Sequence, residues 1–389
     1  MKKALYLTLT FYFIQGIVSN LGHPVTPTLV ENLGIEDYMF GVFFASMSLG
    51  LVVGGPIWGA LGDNGSKKKY IVFGLLVYSA GQFFFAFTGN QYLMVLFRFI
   101  SGVGASASIT LLLTHLIRLV DKTERAKYIG YSLALMGLGG SLSYYIGGYM
   151  GEYFIKEVFY IQSLVTIVFA FGIFMLMKED YQQKTVSTGK VNILDGFKSI
   201  GKLNPTLFLF LISLTFISIG AINISKFIDV YLIGLGYTTK QLGTFVMMTG
   251  WVIIASNFFL VPFIIKFKKD MVIMAFIQLI SAVVIVLVFR SENVLFSLYT
   301  FFMVYVVLKA IYQPLESDYI STYAEDEKYG TIMGIRQSFF AIGMVIGPLI
   351  GGFLYNIDPL LVFDFSAGMF LLGFVLLIFV RKRMKRDYS

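Results

Sequence analysis

Apolar stretches of about 20 residues, the length needed to cross roughly 30 Å of hydrocarbon, recur along the whole of this 389-residue chain. Only short polar connections separate them. Inside lipid no water can satisfy a backbone amide, so a stretch of this kind must close its hydrogen bonds within itself as a helix. Twelve spans are read near 4–30, 38–60, 70–88, 92–118, 128–151, 158–177, 206–233, 240–264, 271–289, 294–318, 331–356 and 360–380. The expected fold is an all-α membrane protein of twelve transmembrane helices with no separate soluble domain. The first span is too long for a signal peptide and carries no small-residue cleavage site, so it is kept as structure.

The solvent is confirmed by composition: 57% of residues are hydrophobic, 13% are charged and the mean hydropathy is +0.79, far from soluble usage. The distribution of Lys and Arg sets the orientation. Most of the 30 basic residues fall on the side that holds both termini, and only Lys156, Lys240 and Arg290 fall on the other. Both termini are therefore expected in the cytoplasm, and the net charge of +8 reads as a topology signal, not as affinity for nucleic acid. Three basic residues, Arg98, Lys226 and Lys309, are assigned to span interiors, and Arg336, near the start of the eleventh span, is counted with the cytoplasmic charge.

Several function classes drop out. There is no cysteine and the two histidines are far apart, so no disulfide, thiol or metal constellation is expected. No phosphate loop, nucleophile elbow or paired carboxylates occur in the loops, which argues against an enzyme and calls for no cofactor. With no room for a nucleotide-binding domain, any driving force must be an ion gradient or the substrate's own. The expected partners are a small-molecule substrate, protons and the lipid bilayer, with the chain acting as a monomer.

The chain also repeats. TERAKYIGYSLALMGLGGSLSYYIGGYM (123–150) aligns with EKYGTIMGIRQSFFAIGMVIGPLIGGFL (327–354) at an offset of 204, placing Gly130, Gly139, Gly147 and Gly148 on Gly334, Gly343, Gly351 and Gly352. The polar stretch 178–205 reads as a cytoplasmic linker, with a short amphipathic helix near Ile193–Ile200. Two pseudo-symmetric six-helix bundles, 1–177 and 206–389, follow from this. Parallel repeats of that kind place a substrate between them near the midplane.

On these residues the chain resembles the major facilitator superfamily over its whole length. GALGDNGSKKK (59–69) is similar to that family's loop signature, matched at Gly59, Asp63 and Lys67 to Lys69, with Asn64 in place of the usual Arg and Ser66 in place of the second Gly. LFRFISGVGASA (96–107) resembles the fourth-span signature of proton-coupled members, with Arg98, Gly102, Gly104 and Ala105 in place. HPVTPTLVENLG (23–34) is similar to the first-span pattern of drug:proton antiporters. The fifth-span Gly-Pro-x-x-Gly-Gly of antiporters reads here Ser143-Tyr144-Tyr145-Ile146-Gly147-Gly148, and an intact copy, Gly347 to Gly352 with Pro348, stands in the eleventh span. That departure weakens the implication of antiport. The resemblance implies alternating access in a bacterial cell membrane, with Gly59, Asp63, Gly102, Gly347 and Pro348 serving conformational change. Asp63 is expected to act as a latch at a helix end.

Polar residues within spans supply the candidate site. Tyr305, Lys309, Tyr312 or Gln313, and Glu316 recur at helical spacing, as do Tyr12, Gln15, Ser19 and His23, and each set is expected to line one helix face. Asn20, Asn223, Tyr144, Arg98 and Lys226 join them as cavity candidates. Snorkelling of Arg98, an acidic partner for Lys309, solvation of Glu316 and a local pair between Lys226 and Asp229 are the blander readings. At an offset near 202, His23 to Pro27 correspond to Ser225 to Asp229, so Lys226 and Asp229 stand where the first span breaks at two prolines. For a proton carrier the order is Asp229, Glu316, then His23, with Arg98 tuning a nearby acid. The function expected is proton-coupled efflux of small amphipathic compounds or drugs. The alternative is transport of one defined anionic or zwitterionic metabolite, or a lipid or glycolipid flippase.

Overall fold

The computed structural model describes residues 2–121, 124–178, 203–265, 270–322 and 329–387. Among them there is helix and no strand, as the backbone argument requires. The spans form in the expected order. The second to sixth are Tyr38–Asn64, Lys67–Phe87, Gln91–Leu119, Arg125–Gly151 and Lys156–Leu176. The seventh is Pro205–Gly234, and the eighth runs from Thr239 to Ile265 through a π-helical turn at Ser256–Leu260. The ninth is Asp270–Phe289, the tenth Val294–Tyr299 continued by Phe301–Ser321, the eleventh Tyr329–Ile357 and the twelfth Pro359–Asp387. Ten of the twelve are long and apolar enough to cross a membrane on length and hydropathy alone. In the fifth, Gly, Ser and Tyr dilute the hydropathy; the first is divided.

That division falls at 21–25, between Lys2–Asn20 and Thr26–Asn32. Pro24 and Pro27 account for it: neither can donate a helical hydrogen bond, Pro24 disfavours helix at His23, and Pro27, tolerated in a first turn, opens the second segment. The corresponding stretch of the seventh helix has no proline before Gly234 and continues unbroken. The repeat nevertheless shows at the ends of both helices. Gly34 and Gly236, 202 positions apart, both take positive φ (63° and 84°). In each, the glycine N–H reaches the carbonyl three back, Glu31 (2.9 Å) or Ile233 (2.8 Å), and the next residue reaches Val30 (3.2 Å) or Leu232 (3.1 Å). This left-handed cap satisfies the last carbonyls, and a side chain with a Cβ would be strained there. The short connections supply N-caps: Asn90 Oδ1 accepts from Tyr92 and Leu93, and Asn293 Oδ1 from Phe296.

Cα packing divides the chain into two compact units: the first six helices with Asp229–Gly250, and the remaining described residues. In the first, the second helix packs on the fourth, the third on the fourth and sixth, and the first on the fifth. In the other, the ninth packs on the tenth and twelfth, and the end of the eighth packs on the tenth. The seventh meets the eleventh where Thr215 Oγ1 donates to the Phe339 carbonyl (3.2 Å). Each pairing repeats one of the first unit six helices later, so the sequence repeat is a repeat of packing. The two bundles are pseudo-symmetric.

Lipid tails are as apolar as leucine, so helices associate through close approach and polar contacts. At Gly102 a Cβ would strike the backbone of Met47 and Gly50; only glycine lets the second and fourth helices meet there. Polar contacts lock the rest. Trp58 Nε1 donates to the Val103 carbonyl (2.7 Å), and Ser79 and Ser163 hydroxyls each donate to the other's carbonyl (2.9 and 3.0 Å). Phe171, Phe174, Phe258 and Phe259 are exposed, as lipid-facing residues of a spanning bundle must be.

Candidate functional site

Arg98 is not snorkelled. It is 3% exposed, and its guanidinium lies over the Phe85 ring at 3.8 Å from the centroid. One terminal nitrogen donates to Gln82 Oε1 (3.2 Å) and, weakly, to Met47 Sδ (3.9 Å). The other donates to Thr26 Oγ1 (3.3 Å), whose hydroxyl passes on a bond to the Gly22 carbonyl (2.8 Å). No carboxylate pairs with Arg98 among the described residues. A charge at the centre of a span costs about 2.5–3.5 kcal/mol on insertion scales, an upper bound for Arg98 two turns inside its helix; an aromatic face and two neutral acceptors offset part of it.

From this cage an aromatic file runs toward the fifth helix. Phe44 flanks the guanidinium at 6.0 Å and stacks on His23 at 5.3 Å between centroids and 12° between planes. His23 stacks on Tyr144 on its other face (5.8 Å, 4°). The Tyr144 hydroxyl then donates to Asp229 Oδ2 at 3.1 Å. Asp229 is 1% exposed. Thus Arg98, His23, Tyr144 and Asp229, read separately from the sequence, belong to one contiguous array.

The tyrosine is positioned by helix packing. Ser143 Oγ donates to the Ile17 carbonyl (2.6 Å) and ties the fifth helix to the first. Thr239 Oγ1 donates to the Gly148 carbonyl (2.8 Å). A Cβ on Gly148 would strike Thr239 backbone, and one on Gly243 would strike Tyr144 backbone. Ser143, where the antiporter pattern has glycine, is therefore a tether. Gln82, Thr26, Phe85 and Phe44 were not singled out by sequence reasoning, because a lone amide, a hydroxyl or a phenylalanine in an apolar span looks like any packing residue.

Glu316 belongs elsewhere. It is 3% exposed and accepts from Arg336 Nε at 2.7 Å, with the Arg336 side chain 20% exposed. This corrects two readings: Glu316 is not solvated at a helix end, and Arg336, grouped with cytoplasmic positive charge, lies two turns inside the eleventh helix. On the same face of the tenth helix, Tyr305 and Tyr312 are buried, and Lys309 between them forms no ion pair among the described residues. Gln313 is exposed and lies off this face.

In the first helix, Tyr12 and Gln15 are buried; Gln15 Nε2 donates to Ser19 Oγ (2.9 Å) and Asn20 Nδ2 to the Gly16 carbonyl (2.9 Å). Asn223 is buried, and a Cβ on Gly351 would meet its side chain at 2.6 Å. Lys226 is partly exposed. Gly59 has room around it, a Cβ meeting only Thr110 at 3.9 Å; Gly347 faces Ile219, and Pro348 lies inside the eleventh helix. The side chain of Asp63 and the proposed helix at Ile193–Ile200 lie outside the described residues.

Comparison with known proteins places this architecture. The chain is 26% identical to the quinolone resistance protein NorA of Staphylococcus aureus, over 97% of this chain and 96% of that one. It is 24% identical to multidrug resistance protein 1 of Bacillus subtilis, with the same shares covered. Among solved structures, the nucleoside transporter NupG superposes with a TM-score of 0.76 at 13% identity, covering 97% of this chain and 99% of that one. The human organic anion transporter MFSD10 superposes at 0.67 with 16% identity, covering 97% and 99%. These last two establish shared fold alone. The family model described as Major Facilitator Superfamily matches residues 8–316 and 235–388, and the chain belongs to that superfamily of membrane transporters.

Proposed function

We propose that this transporter exports small amphipathic compounds from a bacterial cell in exchange for protons, with Asp229 as the proton carrier. The observation that carries the reading is the buried carboxylate of Asp229 held by the Tyr144 hydroxyl at 3.1 Å. A carrier must be titratable, shielded and attached to a part that moves. Asp229 stands on the seventh helix and packs with the first unit, beside His23 stacked on Tyr144. Full-length bacterial relatives named for quinolone and multidrug resistance favour drugs as substrates. In this reading the six-helix halves, 1–177 and 206–389, move against each other about the 178–205 linker, the termini are cytoplasmic and the working unit is a monomer. Buried phenols and phenylalanines give such compounds apolar area with few fixed hydrogen bonds.

The test is transport in proteoliposomes with an imposed pH gradient, paired with counterflow, which exchanges substrate without net proton movement. Asp229→Asn should abolish uphill transport and retain counterflow. Uphill transport by that variant would remove Asp229 from the mechanism. A second reading, transport of one anionic or zwitterionic metabolite, is favoured by the ammonium of Lys309, which has no ion pair among the described residues.

A further inference from the structure

Lys309 lies in the middle of the tenth span, 15 residues from Val294 and 12 from Ser321. At about 1.5 Å per residue its Cα is roughly 18 Å from the nearer helix end, beyond the reach of a lysine stem to interfacial water. Its side chain is partly exposed within the unit, whereas Arg98 is buried and enclosed by acceptors and a ring. Lys309 makes neither hydrogen bond nor ion pair among the described residues. The carboxylate one turn beyond Tyr312 is already engaged, since Glu316 accepts from Arg336. Asp364 is held by Arg290 at the membrane edge.

The neighbours are also unsatisfied. Tyr305 and Tyr312 stand four residues before and three after Lys309, on the same helix face. They are 4% and 5% exposed, yet neither hydroxyl has a hydrogen-bond partner. Native structures satisfy nearly all buried polar groups, so two orphaned phenols beside an unpaired ammonium point to a missing acceptor. The carboxamide of Asn223, on the seventh helix, likewise has neither amide atom bonded. The Tyr305 ring packs on Phe370 (5.8 Å), and a Cβ on Gly220, three residues before Asn223, would meet the same ring at 3.2 Å. Tyr305 and Gly220 thus approach the same Phe370 ring within the second unit.

The missing group must bring negative charge and accept several hydrogen bonds while its remainder lies among aromatic rings. We infer that Lys309, with the Tyr305 and Tyr312 hydroxyls, binds the carboxylate of an aromatic or amphipathic substrate. This deepens the reading of the chain as a carrier of small amphipathic compounds, and rests on it for the transport step only. Charge-assisted bonds from the ammonium and from two phenols satisfy a carboxylate's lone pairs. An ester keeps shape and area and loses the charge.

Binding to the full chain in nanodiscs, followed by ligand fluorescence, tests this with 1-naphthoate, its methyl ester and 1-naphthylmethylammonium. The wild type should bind the carboxylate at least ten-fold more tightly than the ester or the cation. Lys309→Gln should remove that preference without weakening the ester, and Lys309→Arg should keep most of it. Tyr305→Phe, which deletes one hydroxyl, should lower the preference a few-fold and covers the case in which the lysine variant folds poorly. Equal wild-type binding of acid and ester overturns the assignment, as does an undiminished preference in Lys309→Gln. If the preference is present and pH-driven transport is absent, the anion site stands and the proton-coupled export reading falls.

Discussion

Arg336→Met and Glu316→Gln, alone and together, give the sharpest test of the electrostatics in the second unit. The pair is a single 2.7 Å contact from Nε, with Glu316 3% exposed and the Arg336 side chain 20% exposed. Removing one partner of a buried pair strands the other and costs about 3–5 kcal/mol. The two ends differ in their access to water. In Arg336→Met the stranded group is a carboxylate with almost no exposed surface, so the cost is expected near about 3 kcal/mol, discounted to the low end for the partly wet arginine. In Glu316→Gln the stranded guanidinium keeps some water and an amide acceptor, so about half that is expected. The double variant should lie within about 1 kcal/mol of wild type, since swapping a whole buried pair for neutral groups is often neutral.

The cycle then yields a coupling of about 4 kcal/mol, above the usual range for contacting residues. Unfolding in mixed micelles by titrated detergent, followed by circular dichroism, supplies the free energies; melting temperatures supply the order if unfolding is irreversible. Additive effects with each single variant within about 0.5 kcal/mol of wild type, the range of unremarkable surface sites, would refute the buried pair. Because Glu316 is committed to Arg336, Glu316→Gln should also keep uphill transport.

Two further expectations concern the first unit and the orientation. Arg98→Lys keeps the charge and loses the planar face over Phe85, so it should cost about 2 kcal/mol, the value of a desolvated cation–π contact; a melting temperature equal to wild type would show that the stacking contributes nothing. In the cysteine-free chain, Glu36→Cys and Asp358→Cys should label from outside intact cells and Lys190→Cys should not, and labelling at Lys190→Cys would reverse the topology.

The sequence carries spans well because the bilayer allows one solution to backbone satisfaction over about 20 apolar residues. It also carried the break in the first helix, where Pro24 and Pro27 act locally. It was less informative about the counterpart in the seventh, because homologous position alone does not break a helix that lacks those prolines. The tenth-helix stripe was legible from its spacing, except for Gln313, one position past Tyr312 and about 100° around the helix from it. Arg336 went unread because a basic residue near a helix start counts equally well as loop charge; only its contact with Glu316 distinguishes the two. The Arg98 cage was illegible for a different reason. Its partners are uncharged or aromatic and come from separate helices: Thr26 from the first, Gln82 and Phe85 from the third, Met47 from the second.

Arg98 and Lys309 show how one insertion cost can be met in two ways. Arg98 is enclosed by groups that give up no net charge, so the cage remains cationic, and the aromatic file through Phe44, His23 and Tyr144 links it to the Asp229 carboxylate. The cation and the carboxylate are thus joined through packed rings and one hydrogen bond, not by a direct ion pair. Lys309 has no such enclosure: among the described residues no group accepts from its ammonium, and the flanking Tyr305 and Tyr312 hydroxyls are themselves unbonded. An ammonium flanked by two unbonded hydroxyls is satisfied once an anion has arrived. The first arrangement suits coupling, which must persist through every cycle, and the second suits cargo, which must come and go.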